Sequence, residues 1–237
     1  MRTVDVGLGA RQVLAAPGVG RVVGVHRKAL YLEFPAGLCA VTSCAAPPGP
    51  LHLRCTVLPP ARCGHPVRAD GRVLRGETWT LGLTAPGWTG RLPPPAALGE
   101  VSTPREIAAV VPVLGGRGPG LTPEGDDLLA GLILVARAGG GPAVEAELVA
   151  LAHSVPTNSI ASAFLLWAAR GQCIGPAHDV LGDLAGTRRD PGAASRLTAV
   201  GSSSGAALLA GLRLAASAGA DGLSRAISTI GYDRLLS

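Results

Sequence analysis

Two textures of hydrophobic patterning divide the chain. Over the first hundred residues, short Val-, Leu- and Thr-rich runs at 21–26, 29–34, 38–42, 51–57 and 73–83 are bounded by Gly and Pro clusters. Runs of this length and composition predict β-strands. Pro47-Pro48-Gly49-Pro50 and Pro59-Pro60 read as turns, because proline donates nothing to a sheet ladder. Strands at this spacing predict a small barrel or sandwich, followed by a proline-rich connector over residues 84–99.

From residue 102 the pattern becomes helical. Thr103-Pro104-Arg105-Glu106 has the hydroxyl, proline and glutamate of a capping box with proline at the first helical position. Thr122-Pro123 repeats the N-cap and proline pairing. Further helices are expected from Pro142 to His153, over 158–170 with Gly171 as the residue that ends it, over 176–185 and 191–200, and over 204–217. A last short helix is expected near Tyr232 and Arg234. The fold class is therefore α+β: an N-terminal small β-barrel or sandwich over 1–100, then an all-α helical domain over 101–237.

An internal repeat lies within the helical half. LTPEGDDLLAGLILVARAG at 121–139 and GSSSGAALLAGLRLAASAG at 201–219 align at an offset of 80 residues, each with LLAGLxLxAxAG after a hydroxyl-bearing turn. The alignment pairs Gly125 with Gly205, Gly131 with Gly211 and Asp127 with Ala207. Two similar helices packed side by side, with Gly131 and Gly211 admitting a close backbone approach, account for the pattern. A chance likeness of two alanine-leucine helices accounts for it too.

Composition narrows the partners. Charged residues make up 16% of the chain against a usual quarter, which favours an oligomer. The net charge of +5 comes from scattered arginines, with Lys28 the sole lysine, and lacks the basic run interleaved with aromatics that nucleic acid requires. Scattered arginine fits a small anionic substrate equally well, and a biased nucleotide composition better still. Five cysteines form no C-x-x-C pair, so zinc is not expected and the thiols read as reduced, in a cytoplasmic protein. Arg2, Asp5 and Arg11 break any apolar signal region. The longest apolar run, 128–136, falls well short of the roughly twenty residues of a membrane span, so no membrane is expected.

The candidate chemistry sits at 115–127, Gly-Gly-Arg-Gly-Pro-Gly-Leu-Thr-Pro-Glu-Gly-Asp-Asp. Glycines such as Gly118 and Gly120 let amides turn inward, and the helix that follows offers unpaired N–H groups and a positive dipole end, the makings of an anion cradle. The loop lacks the Gly-Lys-Ser/Thr of a nucleotide loop and the dinucleotide fingerprint, and no cofactor is expected. Asp126 and Asp127 open a helix apolar all round, hence a buried one, so they need hydrogen-bonding partners, a cation or a substrate amide. The turns before the helices at 158 and 204 are polar as well. Three such helix starts meeting at one place would make a small-ligand pocket. Simple capping of each helix by its own hydroxyl is the competing reading.

Gly118-Pro119-Gly120-Leu121-Thr122-Pro123-x-Gly125-Asp126-Asp127, then Leu128-Leu129-x-Gly131, resembles the signature of a bacterial family similar to the third, AllH-type subunit of oxamate carbamoyltransferase. Thr157-Asn158-x-Ile160-Ala161 and Val200-Gly201-x-Ser203-Ser204-Gly205 extend the likeness. The resemblance implies carbamoyl transfer between oxalurate and phosphate, giving oxamate and carbamoyl phosphate, by an enzyme or an enzyme subunit. It implies that Thr122 and the loop amides of Gly118 and Gly120 hold the anion. Asp126 and Asp127 would orient an amide or an arginine, and Asn158, Ser203, Ser204 and Gly205 would line the other wall. The late family motif more often has His before Thr/Ser-Ser-Gly and an aromatic-Asp pair after it, where this chain has Ser202, Ala206 and Ala207. That departure leaves two further expectations. One is a non-catalytic subunit of a larger hetero- or homo-oligomer; the other is a relative recruited to a specialised-metabolite pathway with a different substrate.

Overall fold

The computed structural model describes residues 1–217 and Leu223; the helix expected near Tyr232 and Arg234 lies outside them. The chain is α+β and divides into two compact units, Met1–Gly90 and Arg91–Ser237, with the proline-rich residues 91–99 in the second.

The first unit contains strands β1 (Thr3–Gly7), β2 (Gly18–Val25), β3 (Ala29–Phe34), β4 (Gly37–Ser43), β5 (His52–Cys55), β6 (Pro66–Ala69), β7 (Val73–Arg75), β8 (Thr80–Gly82) and β9 (Gly87–Trp88), with helix α1 (Leu8–Leu14) after β1. They form one mixed sheet in the order β8-β7-β6-β2-β3-β4-β5-β1-β9, in place of two packed sheets. The sheet curls. At its far side the Thr3 hydroxyl on β1 donates to the Gly82 carbonyl on β8 at 2.6 Å, although no ladder joins these strands. β3 shows the alternation that reads as a strand, with Leu30, Leu32 and Phe34 buried and Tyr31 and Glu33 half-buried. On the same face the core takes Cys39, Val41 and Leu53 together with Ala10, Val13 and Leu14 of α1.

The sequence pattern missed β1, α1, β6 and β9, and it read 73–83 as one strand where β7 and β8 form a hairpin. β1 carries Asp5 in its middle, which breaks the apolar run; the carboxylate is matched by Arg54 on neighbouring β5, a pairing invisible along the chain. β6 begins on Pro66, a position where a strand tolerates proline.

The second unit holds α2 (Pro104–Leu114), α3 (Glu124–Gly140), α4 (Glu145–Ser154), α5 (Ser159–Ala169), α6 (Gly175–Leu184), α7 (Ala193–Thr198) and α8 (Ser204–Ser217). The capping box at Thr103 forms in full: its hydroxyl accepts from the Glu106 amide and the Glu106 carboxylate accepts from the Thr103 amide. Pro142 sits in a short 3-10 turn, Gly141–Val144, and the helix proper starts at Glu145. Helix α3 is the centre of this unit. Leu128 to Ala136 are all buried on it, and α2, α5 and α8 pack around it.

The internal repeat is a packing device. A Cβ on Gly131 would lie 2.5 Å from the Leu208 carbonyl oxygen, and one on Gly211 would lie 2.1 Å from that of Leu128. These contacts are reciprocal under the 80-residue offset, as a local twofold between α3 and α8 requires. A matching pair lies six residues earlier. A Cβ on Gly125 would meet the Leu114 carbonyl oxygen at 2.0 Å, and one on Gly205 that of Leu197 at 1.9 Å, so in both halves the preceding helix end closes onto the glycine. Four glycines at matching places, each closed in by backbone, argue against a chance likeness.

By length and composition, the helical stretch Glu124–Ser154 is long and apolar enough to cross a membrane, with a most apolar window of mean hydropathy 1.3. This corrects the expectation of only short apolar runs, since the 128–136 segment continues into α4. Gly141, at φ 64°, interrupts the stretch, and 67% of that window is buried inside the fold, as in the core helix of a globular domain.

Candidate functional site

Three helix starts come together in the second unit. Between α2 and α3 the loop turns on Gly116, Gly118 and Gly120, all at positive φ, where glycine alone avoids strain. Gly118 and Gly120 are exposed. Their amides, and that of Thr122, donate to no carbonyl or side chain among the described residues. Gly118 and Gly120 therefore lie where their N–H groups face solvent.

Thr122 does not cap its own helix. Pro123 holds the N-cap position of α3 with no side-chain bond, and its carbonyl accepts from the Asp126 and Asp127 amides. The Thr122 hydroxyl instead lies 3.0 Å from the Ser204 hydroxyl at the first residue of α8. The expected N-cap is corrected by tertiary packing. The twofold crossing of α3 and α8 sets their starts side by side, and the two hydroxyls pair with each other.

The two acids separate in role. Asp126 is 2% exposed and both its oxygens are used: Oδ1 accepts from the Gly116 amide at 2.8 Å and Oδ2 from the Thr157 hydroxyl at 2.5 Å. It ties the α2–α3 loop and the segment leading into α5 to the first turn of α3. Burial raises its pKa, while the bonds from Thr157 and Gly116 pull it back down. Asp127 is different. Its Oδ2 is buried with no hydrogen-bond partner. Burial pushes its pKa up to about 8, against the pull of the Ser204 and Thr122 hydroxyls beside it; Asp126 and Glu124 push the same way as burial. Among the described residues, no lysine or arginine counts among the charges acting on it. At neutral pH it is therefore largely the uncharged acid.

The wall beyond Asp127 comes from the segment before α6. Cys173 is buried, and Asp127 adds to the burial that lifts its thiol to about 12, so it remains protonated and is no nucleophile. The His178 ring accepts the Cys173 amide on Nε2 at 3.0 Å and faces the Arg91 carbonyl with Nδ1 at 3.1 Å. An Nε2 that accepts leaves the proton on Nδ1, and burial lowers the pKa further, so the ring is neutral.

The remaining candidates divide. Asn158 is exposed and caps α5, its Oδ1 accepting the Ile160 and Ala161 amides at 3.0 Å each, which leaves only its NH2 to face outward. Ser203 is half-buried beside Ser204, and its carbonyl accepts from Ala207. Gly205 is buried, its amide donates to the Val200 carbonyl, and its place is fixed by the Leu197 carbonyl, so it shapes the helix start and has no donor left over. The structure thus brings Thr122, Asp126, Asp127 and Ser204 together, with Gly118 and Gly120 in the adjoining loop. Sequence reasoning missed Cys173; it had Gly116 within the candidate loop and Thr157 within a motif, without the bond that each gives to Asp126. A buried Asp126 demanded partners, but nothing along the chain named them.

Among the described residues, no group of three His, Cys, Asp or Glu is placed to hold a metal. Among the described residues the site offers hydroxyls, amides and an uncharged carboxylic acid, with no activated thiol. Such a set binds and orients; any chemistry here relies on positioning and on stabilising developing charge.

The second unit is thus a bundle whose apolar helices α3, α5 and α8 start together around hydroxyls and a buried acid. Residues 114–216, from the end of α2 to α8, match the family model described as oxamate carbamoyltransferase subunit AllH. The match covers less than half of the chain and lies within its second unit. No curated protein and no solved structure is similar enough to the chain to count as a match.

Proposed function

We propose that the second unit binds a small carbamoyl- or carboxylate-bearing anion where α3, α5 and α8 begin, and that the chain is an enzyme, or a subunit of one, related to oxamate carbamoyltransferase. The observation that carries this reading is the pairing of Thr122 with Ser204 beside Asp127, inside the segment that matches the AllH family. In the reaction this implies, a phosphate oxygen attacks the carbamoyl carbon of oxalurate. The bond from that carbon to the imide nitrogen breaks, the nitrogen takes a proton and leaves as oxamate, and carbamoyl phosphate forms. Thr122, Ser204 and the Gly118 and Gly120 amides would hold the anionic groups, and the positive ends of the helices would oppose the charge that builds on the carbamoyl oxygen. Asp126 positions the loop.

The word subunit in the family's description favours a second reading of assembly, in which the chain contributes to a hetero-oligomer and turns over substrate only with its partners. One experiment addresses both. Phosphate-dependent cleavage of oxalurate is followed with the purified chain alone, and then with the products of neighbouring genes added. Thr122→Ala and Ser204→Ala are each expected to raise KM for the anion at least tenfold while the fold is kept. Parent-like kinetics in both variants would remove the site from the reaction. Activity of the chain alone as a homo-oligomer would remove the second reading.

A further inference from the structure

We propose that Asp127 works as an uncharged acid that sets the direction of the Thr122–Ser204 hydroxyl pair, so that the site takes up its anion only while Asp127 carries a proton. The inference rests on the anion-binding reading above and adds its proton dependence.

The geometry points to it in three ways. First, Asp127 Oδ2 is buried without a donor, an arrangement that a carboxylate tolerates poorly and a neutral acid tolerates far better. Second, among the described residues the groups that act on Asp127 include no compensating cation. From its own helix come Asp126 and Glu124, and from the segment before α6 comes the protonated Cys173 thiol. α8 offers the Ser204 hydroxyl, and the loop that opens α3 offers that of Thr122. Third, the two hydroxyls lie 3.0 Å apart, and either can be the donor between them. A charged Asp127 would draw hydroxyl protons inward, since a carboxylate only accepts. A neutral Asp127 donates its own proton to the pair. The chain of donors then runs from Asp127 through one hydroxyl to the other, whose hydrogen is free to meet an anion. A negative ligand beside this acid is thereby spared both like-charge repulsion and two misdirected hydroxyls.

The expected consequence is proton-linked binding. With inorganic phosphate and oxamate as probes in calorimetric titrations of the full chain, affinity is flat on the acid side and falls about tenfold between pH 7 and pH 9, as one required proton leaving near pH 8 dictates. The second ionisation of phosphate, near pH 7, overlaps this window, whereas oxamate has no titration in it, so the oxamate arm isolates the protein's proton. Asp127→Asn removes the slope whatever affinity it retains. An oxamate affinity that does not change from pH 6 to pH 9 in the parent overturns the proposal, as does an unchanged slope in Asp127→Asn.

A ligand-free measurement separates this from the binding reading. A group whose folded pKa is raised holds a proton that the unfolded chain has already lost, so the folded state loses stability as pH rises from the ordinary carboxyl range toward 8 and levels off above it. The thermal midpoint of Asp127→Asn relative to the parent is expected to climb from pH 5 to pH 8 and then hold. A constant gap overturns the neutral acid. A climbing gap with no binding of either probe at any pH keeps the acid neutral, removes the anion site, and with it removes this role for the hydroxyl pair.

Discussion

The starts of α3 and α8 are built on one plan and given different chemistry. Each has a glycine pressed against the carbonyl of the preceding helix end, Gly125 on Leu114 and Gly205 on Leu197, and each has a second glycine at the crossing, Gly131 and Gly211. Where α3 then carries Asp126 and Asp127, α8 carries Ala206 and Ala207. The packing is symmetric while the polar groups are not. The glycines answer to the backbone of the neighbouring helix, and that demand is the same in both halves. The acids answer to the loop, to Thr157 and to the hydroxyl pair, and α8 carries no acid at the matching places.

Disturbing the shared part has the largest expected effect. Gly131→Ala or Gly211→Ala pushes a methyl group into backbone that has no side chain to yield, and each should lower stability by about 3 kcal/mol or more in denaturant unfolding. Restoring symmetry in the polar part comes next. Ala207 is fully buried, so Ala207→Asp adds a carboxyl with no partner, and a loss of about 2–3 kcal/mol at pH 7 that shrinks toward pH 4 is expected. A gain in stability there would mean that α8 holds donors matching those around α3. Asp126→Ala removes the acceptor of Gly116 and Thr157 and should cost about 2 kcal/mol, with faster hydrogen exchange at Gly116 as the local readout. The smallest effect belongs to α5, which joins the meeting of helix starts from outside the repeat. Asn158→Ala forfeits a cap worth about 1 kcal/mol and should leave anion binding within a factor of about three, because the cap oxygen already serves Ile160 and Ala161.

Much of the helical unit was legible in the chain because its signals are local. Thr103 and Glu106 announce a capping box within four residues, Gly171 ends α5 in the left-handed conformation, and Ser204 opens α8. The gathering of helix starts was legible as an expectation from three polar turns before apolar helices. What each polar group does there was not. Thr122 has the form of an N-cap in sequence, and only the crossing of α3 and α8 gives its hydroxyl to Ser204. Asp126 and Asp127 are equivalent in sequence, and helix geometry turns neighbouring residues about 100° apart, sending one toward Thr157 and the other toward Ser204. The sheet was less legible. β3 alternates in burial and was found with its ends, whereas Asp5 in β1 and Pro66 in β6 disguise strands that each take one partner, β5 and β2, from far along the chain.

The crossing of α3 with α8 also bears on how the protein is made. The glycine face of α3 is closed by a helix that leaves the ribosome 80 residues later, after α4 to α7 have emerged. Throughout that interval Gly131, in one of the most apolar segments of the polypeptide, stands without the helix that closes over it. Chains truncated before Ser204 should therefore be retained by chaperones or aggregate, while the completed chain escapes as soon as α8 docks.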